Sequence, residues 1–215
     1  MLESLFSNPL SFLMWIAALV ISITVHEFSH ALAADRLGDP TPRVQGRLSL
    51  NPLVHLDPLG TIMLIVARFG WGKPVQFDPF NLANPRRDAA IISLAGPASN
   101  LFMALIAALL GNLAIRTHFY PEIAYGFLSI LISMNLILAV FNLIPIHPLD
   151  GGKILIGILP RDTAYDLDRA LNQYGMFILL FLVFPLFGGV SLVSQILGPV
   201  LDAVSRPFFE ILFLR

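Results

Sequence analysis

Residues 15–38 read WIAALVISITVHEFSHALAADRLG, and this stretch decides the fold. Its first eleven residues are almost wholly apolar, and His26, Glu27 and His30 then follow within one helical turn. With the residues before it, the apolar run extends from Leu10 to Ala34, which is longer than the roughly 20 residues a helix needs to cross a bilayer. Ionisable side chains at membrane depth are costly and mostly functional. The stretch therefore predicts a spanning helix with a functional site near one end.

The composition of the whole chain indicates an integral membrane protein. Of its 215 residues, 56% are hydrophobic and only 13% are charged, whereas soluble domains carry about 25% charged residues. The net charge of -1 and the scattered basic residues predict no nucleic-acid binding. The absence of cysteine excludes disulfides, thiolate zinc sites and cysteine nucleophiles. We predict an all-α polytopic protein of the cell membrane, with residues 1–215 forming a single membrane-embedded domain.

The hydropathy pattern divides the chain into about five spanning helices and one shorter segment. Long apolar runs cover about residues 10–34, 89–115 and 124–146, and residues 174–213 predict two further helices. The uncharged core at 58–67 has half the length of a span, so we interpret it as re-entrant or interfacial. The stretch PRVQGRLSL, residues 42–50, is a candidate for a short β-hairpin around Gly46.

The distribution of Lys and Arg predicts the orientation. Ten of the thirteen lie in the polar stretches 35–50, 68–88 and 147–173. These stretches share one face only if residues 51–67 do not cross the membrane. Cytoplasmic loops carry the excess of positive charge, so this face is predicted to be cytoplasmic.

The pattern HEFSH, residues 26–30, predicts a metal site. Positions i and i+4 share one face of a helix, so His26 and His30 can bind one zinc ion together. Glu27 follows the first histidine directly, where it can act as general base on a zinc-bound water. Three fixed positions also arise by chance, and buried histidines often make only hydrogen bonds. Membrane depth favours the zinc interpretation.

Catalytic zinc usually has three protein ligands, and the candidate for the third is Asp150. It lies in NLIPIHPLDGG, residues 142–152, and no other acidic residue occurs between Glu122 and Asp162. An interfacial turn capped by an aspartate is the alternative. In the re-entrant topology the third span brings Asp150 back to the face of His26 and His30. The charge distribution and the zinc geometry thus favour the same topology, with one zinc per chain toward the cytoplasmic face.

Three motifs resemble those of the site-2 protease family of intramembrane zinc metalloproteases: HEFSH, LAGPASN at 94–100 and NLIPIHPLDGG. The similarity is to the compact bacterial and archaeal members, without a PDZ or CBS domain, and implies a catalytic core at about 10–155. By this resemblance the site residues would be zinc ligands His26, His30 and Asp150, general base Glu27, and substrate-holding Asn142.

The function that the resemblance implies is hydrolysis of peptide bonds within or next to transmembrane helices of membrane-protein substrates. Two other classes stay open. A catalytically silent zinc-binding membrane scaffold would not need an intact Glu27. A metal transporter would not need it either, and the inverted repeats typical of transporters are not seen in the sequence. Substrate identity and oligomeric state are not specified by these patterns.

Weaker candidates surround this site. His55 and His147 are candidate partners of the zinc ligands, although His55 suits a plain interfacial turn equally and His147 suits a solvent-facing position. Asn142 suits an interhelical hydrogen bond as well as a substrate contact. Asn100 follows Gly96 and Pro97 on the second span, and a structural role is favoured for it.

Overall fold

A computed structural model describes residues 8–67, 70–117, 122–184 and 191–214, which are mainly helical and include no β-sheet. The prediction of an all-α membrane protein is thereby confirmed. In chain order the helices are α1 (Pro9–Arg36), α2 (Thr41–Val44), α3 (Pro58–Ala67), α4 (Pro85–Arg116), α5 (Glu122–Asn142), α6 (Asp150–Ile158), α7 (Arg161–Val183) and α8 (Leu192–Phe213). Single 3-10 turns lie at Pro52–Val54 and Pro79–Asn81.

Three helices of the described ranges, α1, α4 and α5, are long and apolar enough to cross a membrane. The boundaries of α1 follow from local sequence. The Asn8 side chain accepts from the Ser11 N–H at 3.1 Å, and Pro9 occupies the first helical position. The helix ends before Gly38, whose φ of 106° is readily adopted only by glycine.

The short helix α3 does not cross the bilayer. Its ten residues extend only about 15 Å, half the thickness of the hydrocarbon core. Leu56, before α3, forms an antiparallel bridge with Gly72, after it, and the Lys73 N–H donates to the His55 carbonyl at 2.8 Å. The chain therefore returns to the place where it left, as the prediction of a re-entrant segment requires.

Two details of the predicted architecture are not confirmed. The hairpin suggested at residues 42–50 is absent from this described stretch: Thr41–Val44 form a helical turn, and Gly46 has a φ of 70° in the turn that follows. The count of about five spans is also not confirmed, because α7 and α8 are not among the helices apolar enough to cross. The break between these two helices, predicted at Pro185, Gly188 and Gly189, lies outside the described residues.

Helix α4 is the centre of the bundle and packs against α1, α5, α6 and α8. The core between these helices combines alanines with larger aliphatic side chains: Ala18, Leu19, Ala104, Ala107, Ala108, Leu131, Ile132, Met134, Leu136 and Leu212. Small residues let membrane helices approach closely. This close approach brings polar side chains of α1, α4 and α5 within hydrogen-bonding distance.

A buried carboxylate ties the loops beside the bundle to the end of α1. Asp39 accepts hydrogen bonds from the Thr41 N–H and hydroxyl, the Asp78 N–H and the Asn81 amide, at 2.6–3.1 Å. Burial acts to raise the pKa of Asp39, but these hydrogen bonds outweigh it and hold the pKa below its ordinary value. The anchored segment 72–78 consequently runs past α1 beside Glu27.

Candidate zinc centre

His26, His30 and Asp150 lie together, although 120 residues of chain separate the histidines from the aspartate. The two Nε2 atoms are 3.0 Å apart, and each is 3.2 Å from Oδ2 of Asp150. The three side chains are largely buried, with 7%, 9% and 14% of their surface exposed. This proximity places the start of α6 on the same side of the bundle as the C-terminal half of α1, as the re-entrant topology predicts.

The orientation of His26 is set by a buried polar network. Its Nδ1 lies 2.5 Å from Oδ1 of Asn100 on α4. The Asn100 amide nitrogen donates to the Ser22 carbonyl at 3.1 Å and to Oδ1 of Asn135 at 2.7 Å, so its oxygen is the end that faces the imidazole. His26 must therefore carry its proton on Nδ1 and donate it to Asn100. In the neutral imidazole this leaves a lone pair on Nε2.

The orientation of His30 follows in the same way from a backbone carbonyl. Its Nδ1 lies 2.7 Å from the Ile92 carbonyl oxygen, which can only accept, so Nδ1 donates. Pro97, on the same helix, has no N–H, so the carbonyl it would bond in a regular helix, that of Ser93, loses this partner. Gly96 supplies the space: a Cβ there would lie 2.5 Å from Nε2 of His30 and 2.6 Å from Cε1 of His26.

The donor set fits a zinc ion. When both imidazoles are neutral and carry their proton on Nδ1, two Nε2 lone pairs and a carboxylate oxygen face one another. Such a grouping of acceptors is unfavourable in a buried place unless a cation joins it. In a tetrahedral zinc site with bonds of about 2.0–2.1 Å, neighbouring ligand atoms are about 3.3 Å apart, close to the 3.0 and 3.2 Å between these atoms.

Glu27 lies next to this cluster in sequence and is half-buried. Its Oε2 accepts a hydrogen bond from the Val75 N–H at 2.9 Å. Val75 belongs to the segment that Asp39 anchors at Asp78. The Val75 N–H thus fixes the orientation of the Glu27 carboxylate. Because this donor is a backbone group, the sequence pattern does not predict it.

The remaining predicted site residues lie outside the three-residue cluster. The Asn142 amide donates to the Leu138 carbonyl of its own helix at 3.0 Å. His55 is fully buried and its Nε2 donates to the Ser49 carbonyl at 2.7 Å, while its Nδ1 has no partner in the described residues. His147 donates from Nε2 to Asp168 on α7 at 3.1 Å. These hydrogen bonds of His55 and His147 do not reach the zinc cluster.

Sequence reasoning missed the roles of Asn100, Asn135 and Ser22, which are fully buried. The Asn135 amide donates to the Ser22 hydroxyl and to the Leu131 carbonyl, both at 2.8 Å. An asparagine inside an apolar span is expensive unless it is bonded, and this signal marks Asn135 in the sequence. The Ile92 carbonyl and the Val75 N–H are backbone groups and carry no such signal.

Fold and site together define a helical membrane protein in which an HExxH helix and a distant carboxylate bring together three side chains that could hold a metal ion. The chain belongs to peptidase family M50, the site-2 protease family, whose family model matches residues 117–185. The expected resemblance is thereby confirmed, and zinc is the metal of this family.

Two bacterial relatives match most of the chain. "Putative zinc metalloprotease YwhC" of Bacillus subtilis is 39% identical over 201 residues, which are 91% of this chain and 89% of the relative. "Putative zinc metalloprotease Rip2" of Mycolicibacterium smegmatis is 33% identical over 96% of this chain and 75% of its own length. The archaeal "Zinc metalloprotease MJ0392" of Methanocaldococcus jannaschii is 24% identical over 75% of this chain and 39% of its own length. No solved structure matches the chain.

Proposed function

We propose that this chain hydrolyses peptide bonds within or next to transmembrane helices of membrane-protein substrates. The observation that carries the proposal is the set of three converging acceptors on His26, His30 and Asp150, with Glu27 adjacent on α1. His30 lies six residues before Arg36 and His26 ten, so the site is about 9–15 Å from that end of α1. The hydrocarbon core is about 30 Å thick. A peptide bond that reaches this depth belongs to a membrane-embedded segment of the substrate.

The three converging side chains would hold one zinc ion through Nε2 of His26, Nε2 of His30 and the Asp150 carboxylate. Zinc, when bound, polarises a peptide carbonyl and makes water acidic enough to lose a proton near neutral pH. Glu27 takes that proton on its carboxylate as the oxygen adds to the carbonyl carbon. It then delivers the proton to the leaving amine nitrogen as the C–N bond breaks. The Val75 N–H orients the carboxylate for both transfers.

A helical substrate must expose its scissile carbonyl, because helical carbonyls are already hydrogen-bonded. Asn142 lies at the end of α5, eight residues before Asp150, and uses an amide N–H on Leu138. Its amide oxygen is suited to accept a hydrogen bond from the unwound substrate backbone. We therefore assign Asn142 to substrate binding.

We further propose that the core at about 10–155 and the C-terminal helices work as one membrane-embedded domain. Helix α8 packs against α4 and α5, and α7 packs against α6. The basic stretches flanking α1, α4 and α6 support an active site toward the cytoplasmic face. Single substitutions Arg47→Cys, Arg86→Cys and Arg116→Cys test this orientation, since the chain has no cysteine of its own. Labelling of positions 47 and 86 from opposite sides would contradict it.

Zinc content and cleavage, measured together in detergent with a panel of single-span substrates, test the activity. Wild type and Glu27→Gln should each contain one zinc per chain, and only wild type should cleave. Asp150→Ala should bind zinc more weakly. Cleavage by Glu27→Gln would refute the role of Glu27. Zinc binding without cleavage of any substrate would favour the scaffold interpretation, and no zinc in chelator-free preparations would refute the site.

A further inference from the structure

The loop between α5 and α6, residues 143–149, ends at Asp150 and must aim its carboxylate at the two histidines. Hydrogen bonds inside the loop are short-range: the Ile146 N–H donates to the Ile144 carbonyl at 2.8 Å, and the Leu149 N–H to the Ile146 carbonyl at 2.9 Å. Such bonds define the turns of the loop. They do not define its position relative to α1, which depends on contacts from outside the loop, including the packing of α6 against α4.

Helix α7 supplies two contacts to this loop, and both are made to His147. The imidazole donates from Nε2 to Oδ1 of Asp168 at 3.1 Å, with only 13% of its side chain exposed. The carbonyl oxygen of His147 lies against Gly175, where a Cβ would come within 2.5 Å of it. The same residue is thus held by its side chain and by its backbone.

Asp168 belongs to the face of α7 that docks against the protein. The buried residues of this helix recur at helical spacing and form one stripe: Ala164, Leu171, Gly175 and Leu179. Asp168 falls between the first two of them on the same face, and its side chain is 48% exposed. Asp162 and Asp166, on the other faces of this helix, are exposed. Asp168, the acidic residue on the buried face of α7, is therefore the one that accepts the hydrogen bond from His147.

We propose that His147 and Asp168 are positioning residues of the zinc centre. Through this pair and the close approach at Gly175, α7 clamps the loop 143–149 so that Asp150 stays within reach of His26 and His30. The inference rests on Asp150 being a zinc ligand. It gives a C-terminal helix a direct part in the metal site, although the three ligands themselves lie on α1 and α6.

Zinc affinity of the purified full chain, measured with zinc alone by competition against a chromophoric chelator, tests the clamp. Asp168→Ala should weaken zinc binding roughly tenfold, the lower end of what partners of metal ligands contribute. Asp168→Asn should restore most of the affinity, because an amide oxygen accepts the same hydrogen bond without charge. Asp166→Ala removes an equal charge from the exposed face and should leave the affinity unchanged. Equal affinities of Asp168→Ala and Asp166→Ala would overturn the inference.

Two further variants separate this inference from the assignment on which it rests. If Asp150→Ala binds zinc as wild type does, the ligand assignment fails and the clamp fails with it. If Asp150→Ala weakens binding while Asp168→Ala does not, only the clamp is overturned. Should Asp168→Ala not fold, Gly175→Ala tests the same clamp, because a methyl group there would lie 2.5 Å from the His147 carbonyl oxygen while both residues of the pair are kept. Unchanged zinc affinity in folded Gly175→Ala would also overturn the proposal.

Discussion

A single methyl group at Gly96 should abolish tight zinc binding. In the sequence Gly96 precedes a proline in a long helix, where its role is not evident. In the structure, a Cβ at this position would lie 2.5 Å from Cε1 and Nε2 of His30 and 2.6 Å from Cε1 of His26. Ordinary contacts of a Cβ begin at 3.4 Å. The rings and α4 would have to separate by about 0.9 Å.

The rings have no free direction in which to move, because each is held from its far nitrogen. Nδ1 of His26 is bonded to Asn100, and Nδ1 of His30 to the Ile92 carbonyl, both on the same helix as Gly96. Metal–ligand distances are defined within about 0.2 Å, so a displacement near 0.9 Å removes the geometry. We expect zinc affinity to fall on the order of 100-fold, or about 2.8 kcal/mol.

Chelator competition on purified Gly96→Ala, with zinc content and helicity measured on the same sample, tests this expectation. Alanine favours a helix over glycine by about 1 kcal/mol, so lost helix propensity cannot account for the effect. Gly126→Ala in α5 is the matched control, because the nearest atom to its new methyl would be Cε of Met14 at 3.8 Å. Wild-type zinc affinity in folded Gly96→Ala would refute the reasoning. Equal losses in both variants would indicate general destabilisation of the bundle instead.

Two further substitutions test the support around the site. Asn100→Ala leaves the Nδ1–H of His26 without an acceptor, and zinc affinity should fall roughly 10- to 100-fold. Asn112→Ala, at a half-buried asparagine of the same helix that bonds to Arg116, should leave the zinc affinity unchanged. Equal affinities of the two variants would contradict the role of Asn100. Asp39→Asn should lower the free energy of unfolding by about 2 kcal/mol near neutral pH. Because the folded pKa of Asp39 is depressed, its stabilisation is present above the unfolded pKa of about 3.9 and is lost as pH falls through the folded value. The stability difference between Asp39→Asn and wild type, measured by denaturation, should therefore shrink below about pH 4; a constant difference, or an equal effect of exposed Asp162→Asn, would contradict it.

The proximity of the three candidate metal ligands could be predicted from sequence because each has a distinctive local signal. His26 and His30 share a helical face at a depth where ionisable groups are rare, and Asp150 is the only acid in a long interval of the chain. That α3 is too short to cross the membrane was predictable from length alone, since ten residues extend only about 15 Å. These signals are clear because an unsatisfied polar group is costly inside a bilayer, so a polar residue there usually has a structural or functional partner.

The partners of the ligands could not be predicted, because they depend on how helices pack. Asn100 reaches His26 only because small residues let α4 approach α1 closely. The Ile92 carbonyl and the Val75 N–H occur in every peptide unit and have no sequence signature. His55 and His147 were candidates because imidazole suits metal chemistry, yet their observed hydrogen bonds go to Ser49 and Asp168. The residue type showed that each histidine could bind a metal, but only the fold showed which histidines lie together.

The buried network couples the register of the three spans to the zinc centre. Asn100 on α4 bonds to His26 and to the Ser22 carbonyl on α1, and Asn135 on α5 bonds to the Ser22 hydroxyl. A shift of α4 by one helical turn, about 5.4 Å along its axis, would break both bonds of Asn100 to α1 and its bond to Oδ1 of Asn135. It would leave two asparagines unsatisfied where no water can replace their partners. Apolar packing of alanine and leucine tolerates such a shift far better, so the polar groups select one register, and in that register Nε2 of His26 faces Nε2 of His30 and Asp150.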